Sequence, residues 1–130
     1  MRILGIDYGL KKIGLALTDG QLAEPLGVIR IRRENQDITR AIDLICQKEE
    51  VEEIVIGLPE SGLVGKIKKF GSDLEKLTGL PVFYQDENLT TQDAIAKMIE
   101  AGKSRKARKE KEDAVSAALI LQDWLNQKNV

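Results

Sequence analysis

Histidine is absent from the 130 residues, and that absence excludes more chemistry than any other feature of the composition. Without imidazole, Ser-His-Asp and Cys-His catalysis, the usual general base and most zinc enzymes are unavailable. Cysteine is almost missing too. Cys46 stands alone among Ala41, Ile42, Leu44 and Ile45, which excludes disulfides and a cysteine zinc cluster and predicts a buried, reduced thiol. No apolar run approaches the length of a membrane-spanning helix, and Met1-Arg2-Ile3-Leu4 leads straight into a strand pattern without a signal-peptide layout. A cytoplasmic protein with no membrane contact is expected. Charge of one sign is also lacking: a net charge of −1 argues against a uniformly basic coat, so distribution matters more than sum. What remains for chemistry is carboxylates, lysines or a hard metal ion.

The chain is organised around Ile3-Leu4-Gly5-Ile6-Asp7-Tyr8-Gly9. A carboxylate in so apolar a run requires a partner, a proton or a metal, because burying an uncompensated charge costs on the order of several kcal/mol. Gly9 to Lys12 make a turn and Ile13-Gly14-Leu15-Ala16-Leu17 resumes the apolar run, so a β-hairpin is predicted. Leu26 to Ile31 reads as a third strand behind Pro25, with Arg30, Arg32 and Arg33 toward solvent. Asn35 or Asp37 caps a helix carrying Ile38, Ala41, Ile42, Ile45 and Cys46 and ending near Glu49. Ile54-Val55-Ile56 is a short buried strand stopped by Gly57-Leu58-Pro59.

A second helix over 64–78 aligns Ile67, Phe70, Leu74 and Leu77 despite Gly71, and Gly79 ends it. Strand Val82-Phe83-Tyr84 then runs into Gln85-Asp86-Glu87, and a third helix, capped by Thr90 or Thr91, buries Ala94, Ile95, Met98 and Ile99 and stops at Gly102. After a basic stretch, a last helix reaches about Asn126 on Ala114, Ala117, Ala118, Leu121 and Leu125, with Trp124 beside them. A meander followed by alternating strands and helices predicts one α/β domain over 1–130, a mixed five-stranded sheet with helices on both faces.

In open α/β sheets function gathers at the carboxyl ends of the parallel strands, which selects Asp7, the Gly57-Leu58-Pro59 corner and Asp86-Glu87. Asp113, at the start of the last predicted helix, is a further acid that this topology can bring alongside. Carboxylates facing one another repel, and a divalent cation is the simplest way to keep them ionised. Each acid also has a plain structural explanation. Asp7 can close its strand as an Asx turn, Asp86 and Glu87 can be loop acids before a helix, and Asp113 can answer a helix dipole. The run containing Lys103, Arg105, Lys106, Arg108, Lys109 and Lys111 is either a solvated loop or a phosphate-binding flap, and Lys11 and Lys12 add to the same field if their turn lies beside the acids.

Together these residues resemble the YqgF (RuvX) family, RNase H-like proteins described as pre-16S rRNA nucleases and as Holliday junction resolvases. The opening pattern is matched by Gly5-Ile6-Asp7-Tyr8-Gly9 with Lys11, Lys12, Ile13, Gly14 and Ala16, and the central corner by Val55-Ile56-Gly57-Leu58-Pro59. The next segment is matched by Asp86-Glu87-Asn88-Leu89-Thr90-Thr91, and the closing pattern by Lys111, Asp113, Ser116 and Ala117. The resemblance implies an RNase H-like fold in which Asp7, Glu87 and Asp113 hold Mg²⁺ or Mn²⁺ and catalyse phosphodiester hydrolysis, with Asp86 auxiliary. It implies nucleic-acid partners, either pre-16S rRNA within ribosomal precursor particles or branched DNA, bound by Lys11, Lys12 and the basic run, and a monomer or weak homodimer. Asn88 stands where the family usually has arginine, and Glu60-Ser61-Gly62 replaces a longer segment after Pro59. A module of the same fold that binds nucleic acid without effective catalysis is the competing expectation. The Asp7-Tyr8-Gly9 turn also resembles the first phosphate loop of actin-like and sugar-kinase folds, which need a second lobe for which this length leaves no room.

Overall fold

Side-chain alternation in the first strand decides which face of the sheet carries which chemistry. In the computed structural model, which describes residues 1–34, 36–87 and 105–128 (105–113 by backbone alone), the elements are β1 (Ile3–Asp7), β2 (Lys12–Thr18), β3 (Glu24–Arg30), α1 (Ile38–Lys48), β4 (Glu53–Leu58), α2 (Val64–Thr78), β5 (Val82–Asp86) and α3 (Arg105–Lys128). They form a five-stranded sheet in the order β3-β2-β1-β4-β5. β1 pairs antiparallel with β2 and parallel with β4, β2 pairs antiparallel with β3, and β4 pairs parallel with β5. The expected mixed sheet is the one found.

Successive strand residues point to opposite faces. Leu4 and Ile6, with Ile13, Leu15, Ile54 and Ile56, pack against Ile42 and Cys46 of α1 and Ile67, Phe70 and Leu74 of α2. Ile3, with Ala16 and Val55, packs against Ala117, Ala118, Ile120, Leu121 and Leu125 of α3. Gly5 and Asp7 share the face of Ile3, so Asp7 belongs to the α3 side. Close approach of α3 depends on Gly5, where a Cβ would stand 2.9 Å from Leu121 Cβ and 3.0 Å from the Ala117 carbonyl oxygen. At its other end α3 brings Trp124 onto Phe83 and Lys128 to 3.7 Å from Glu53, at the start of β4. The helix therefore runs opposite to β1, its later turns over the beginning of the parallel strands and its earlier turns toward their carboxyl ends.

Several boundaries differ from expectation. β3 begins at Glu24 and runs through Pro25, which its edge position tolerates. β5 continues to Asp86. Leu77 is exposed, not buried, because the inward stripe of α2 consists of Ile67, Phe70, Gly71 and Leu74, and the Tyr84 hydroxyl occupies the place where a Cβ of Gly71 would stand. Asp37 is the cap of α1, its side chain accepting from the Arg40 amide. Asn35, and the expected helix with its caps Thr90 and Thr91, lie outside the described residues. The largest correction concerns the last helix, which starts at Arg105 instead of near Asp113. Most of the basic run is thus helical backbone, neither loop nor flap, since Lys, Arg, Glu and Ala between Arg105 and Ala114 are all good helix formers with no breaker among them.

Candidate active site

Gly57 is the floor above which the Glu87 carboxylate lies, on the strand next to Asp7. Ile6 pairs with Ile56 across the parallel β1 and β4 ladder, so the next residues along, Asp7 and Gly57, are neighbours about one strand spacing, ~4.8 Å, apart. Val55 faces α3, and so by alternation does Gly57. A Cβ at Gly57 would lie 2.5 Å from Ile120 Cδ1 and 2.9 Å from Glu87 Oε1. Glycine at this corner leaves a slot above the sheet, and the Glu87 carboxylate and Ile120 fill it. The slot, more than a tight turn, is what the sequence requires there.

Glu87 is held in place by its backbone, whose amide donates to the Leu58 carbonyl at 2.9 Å, extending the β4–β5 ladder by one residue beyond Asp86. Phe83 packs on the α3 side, and continuing that alternation through Gln85 brings Glu87 to the same face. Asp86 has the opposite parity. It pairs with Leu58, which packs on the α1 and α2 side, and it is exposed, so the auxiliary role expected for it has no support from its position.

The side chain of Asp113 lies outside the described residues, but its backbone position is informative. Residue 113 is one helical turn before Ala117, whose carbonyl lies over Gly5, and it therefore continues the stripe facing the sheet. Four helical residues rise about 6 Å, close to the ~6.6 Å that separates Gly5 from Asp7 along the strand. Position 113 thus comes level with Asp7 on the same face. It is also eight residues into α3, and no acid stands in that helix's first turn, so a helix dipole does not explain it.

Among the described residues no group of three or more Asp, Glu, Cys or His is close enough to hold a metal ion. Asp7 and Glu87 are the described acids that the strand register puts at the same end and on the same face of the sheet. As donors, carboxylates without histidine or thiolate suit a hard divalent cation such as Mg²⁺ or Mn²⁺, and the slot at Gly57 places the Glu87 carboxylate over the strand that neighbours Asp7.

Of the expected nucleic-acid contacts, Lys11 and Lys12 lie in the turn and first residue of β2, at the same end of the sheet as Asp7. Arg105, Lys106, Arg108, Lys109 and Lys111 are on α3 upstream of position 113, toward that end; Lys103 lies outside the described residues. Cys46 is buried at the end of α1, where Val51 donates to its carbonyl just before β4 begins, so it sits at the opposite end of the sheet. Burial, and secondarily Asp43, push its thiol from 9.0 up to about 11, which disqualifies it as a nucleophile. A cleft of about 320 Å³ between Arg2, Thr18, Asp19, Leu22 and Leu26 also opens at that opposite end and contains none of the candidate acids.

A family model described as RuvX, Holliday junction resolvase, matches residues 1–127. A Clostridium acetobutylicum protein provisionally named a pre-16S rRNA nuclease is 43% identical over 134 residues, covering 97% of this chain and 98% of that protein. A Streptococcus pyogenes relative with the same provisional name is 43% identical over 138 residues, covering 98% of this chain and 99% of that one. Among solved structures, Thermus thermophilus RuvC in complex with a Holliday junction substrate has a TM-score of 0.62 at 15% identity, covering 98% of this chain and 96% of that chain. That likeness is one of fold.

Proposed function

The chain belongs to the RuvX Holliday junction resolvase family, and from that premise we infer that it is a nuclease hydrolysing phosphodiester bonds of structured RNA at the carboxyl end of β1, β4 and β5. RNA processing is favoured over junction resolution because the relatives that match over nearly the whole chain at 43% identity carry the rRNA name, whereas the resolvase likeness at 15% identity is one of fold. The substrate is taken to be the pre-16S rRNA precursor, free or within ribosomal precursor particles.

The observation that supports the reading best is the Glu87 carboxylate lying over Gly57, on the strand next to Asp7 and on the face covered by α3, with the backbone of position 113 at the same level. Asp7, Glu87 and Asp113 would hold one or two Mg²⁺ or Mn²⁺ ions, which when bound supply Lewis-acid polarisation of the phosphate and a water of lowered pKa. The chain's own contribution is rigidity and charge. β1 fixes the backbone of Asp7, and the Leu58 carbonyl fixes that of Glu87, so less of the site has to be ordered when substrate arrives. Lys11, Lys12 and the basic first turns of α3 neutralise phosphates on either side of the scissile bond, which makes binding salt-dependent.

The test is cleavage by the purified protein in Mg²⁺ or Mn²⁺ of a pre-16S rRNA 5′ segment, a single-stranded RNA and a four-way DNA junction. The expected result is metal-dependent cutting of the rRNA segment that Asp7→Asn abolishes without loss of fold. Cleavage retained by Asp7→Asn removes that residue from the mechanism, and preferential cutting of the junction transfers the substrate to DNA. Salt-sensitive binding with no cleavage in either metal leaves a binding module.

A further inference from the structure

Arg30 stands directly opposite Lys12 in the antiparallel β2–β3 ladder. Like charges facing each other across a sheet do not attract, so the facing of these two cations is not itself what holds β2 to β3. Both residues lie on the acid face. Ile13 and Ile29, their neighbours in sequence, pack on the α1 and α2 side, which by alternation turns Lys12 and Arg30 to the side of α3, Asp7 and Glu87. Register also fixes their distance from the site. Asp7 pairs with Gly14 and Gly14 with Val28, so Lys12 and Arg30 lie one and two strands from β1 and two residues beyond Asp7, within roughly 8–12 Å of it.

The backbone around Arg30 is held still while its side chain is exposed. The Gln36 side chain donates from Nε2 to the Arg30 carbonyl at 2.9 Å and accepts at Oε1 from the Arg32 amide at 2.8 Å, and the Ile31 amide donates to the Lys11 carbonyl at 2.8 Å. Among the described residues no carboxylate lies within 4.0 Å of the Arg30 guanidinium. A fixed backbone carrying an exposed, forked cation opposite a second cation is an arrangement for gripping a phosphate with two parallel hydrogen bonds.

We propose that Arg30 and Lys12 form a phosphate clamp on the antiparallel side of the candidate active site, holding the nucleic-acid backbone a few nucleotides from the bond that is cut. This rests on the nuclease reading. It assigns to Arg30 a binding role, with Lys12 as its opposite jaw and Gln36 as the residue that positions it.

The clamp is tested by fluorescence anisotropy of a single-stranded RNA and a four-way DNA junction in EDTA, so that no cutting intervenes, with Arg30→Gln, Arg30→Lys and the distant surface control Lys48→Gln. Arg30→Gln should weaken binding about fivefold or more and make the plot of log affinity against log salt shallower by about 0.7 for the single strand and 0.9 for the junction. Arg30→Lys should keep the wild-type slope while recovering only part of the affinity, and Lys48→Gln should match wild type. The Tm of Arg30→Gln should stay close to that of wild type, since the Arg30 side chain is exposed. Arg30→Gln with wild-type affinity and slope removes the clamp alone; wild-type protein that binds neither probe removes the nuclease reading and the clamp with it. A lower Tm with no recovery in Arg30→Lys marks a role in the fold and overturns the clamp. So does affinity for poly-glutamate that depends on Arg30 while both nucleic acids are indifferent to it, which assigns the pair to an acidic protein surface.

Discussion

At the scale of single residues, the glycine at position 57 is as informative as the acids. Its Cβ would meet Ile120 on one side and Glu87 on the other, so Gly57→Ala must displace one of them. Overpacking of this kind costs about 1–3 kcal/mol, and the cheaper relaxation is for the far end of the flexible, half-buried Glu87 side chain to give way. The variant is therefore expected to stay folded by circular dichroism and to lose metal-dependent cleavage; full activity would show that Glu87 does not need the slot. Asp7 was legible in the sequence because an acid in so apolar a run demands compensation. Spacing alone does not tell Glu87 from Asp86, and in the sequence only the family resemblance ranks Glu87 above its neighbour; with the strand running to Asp86, parity gives a physical ground for separating them. Cys46 behaves as its apolar neighbours predicted. Because burial raises its pKa from 9.0 to about 11, the folded state holds the thiol proton more tightly than the unfolded chain. This contribution to stability is intact below pH 9 and is lost as pH rises toward 11, so denaturant midpoints should fall over that window in wild type and fall less in Cys46→Ala.

Among the elements, α1 and α3 show what local pattern can and cannot settle. The cap of α1 was readable as one of two candidates, and Asp37 accepts from the Arg40 amide at 3.1 Å. Asp37→Ala is expected to cost about 1 kcal/mol, seen as a Tm lower by roughly 3–5 °C with cleavage unaffected. Density of charge does not mark the start of α3, because a run that suits a solvated loop or a flap is equally competent as helix when it holds lysine and arginine and no glycine or proline to stop it. The start at Arg105 changes the meaning of Asp113. An acid in a first turn explains itself through the helix dipole, whereas one in the third turn, on the stripe that faces the sheet, does not. Contact between α3 and β1 depends on Gly5, which meets the Ala117 carbonyl, a backbone atom that cannot rotate away. Gly5→Ala should therefore destabilise the protein by about 1–3 kcal/mol and also reduce cleavage, because moving α3 moves position 113. Unchanged urea midpoints would show that the helix can ride higher without consequence.

Over the whole molecule, the topology was readable because strand order follows from simple wiring: hairpin connections give the antiparallel half and helical crossovers the parallel half. What the wiring could not supply was the register of α3 on the sheet, which depends on tertiary packing of Ala117, Ile120 and Leu121 against two glycines far away in sequence. That register brings the backbone of position 113 to the level of Asp7 on the α3 face, whereas Asp86 points to the other face, which is why the proposed centre is built from Asp7, Glu87 and Asp113. The most direct measurement is a Mn²⁺ titration followed by electron paramagnetic resonance on wild type, Asp7→Asn, Glu87→Gln, Asp113→Asn and Asp86→Asn. Wild type and Asp86→Asn should bind Mn²⁺ alike and each of the other three should bind at least about tenfold more weakly; Asp113→Asn binding as tightly as wild type would contradict a centre built from those three carboxylates.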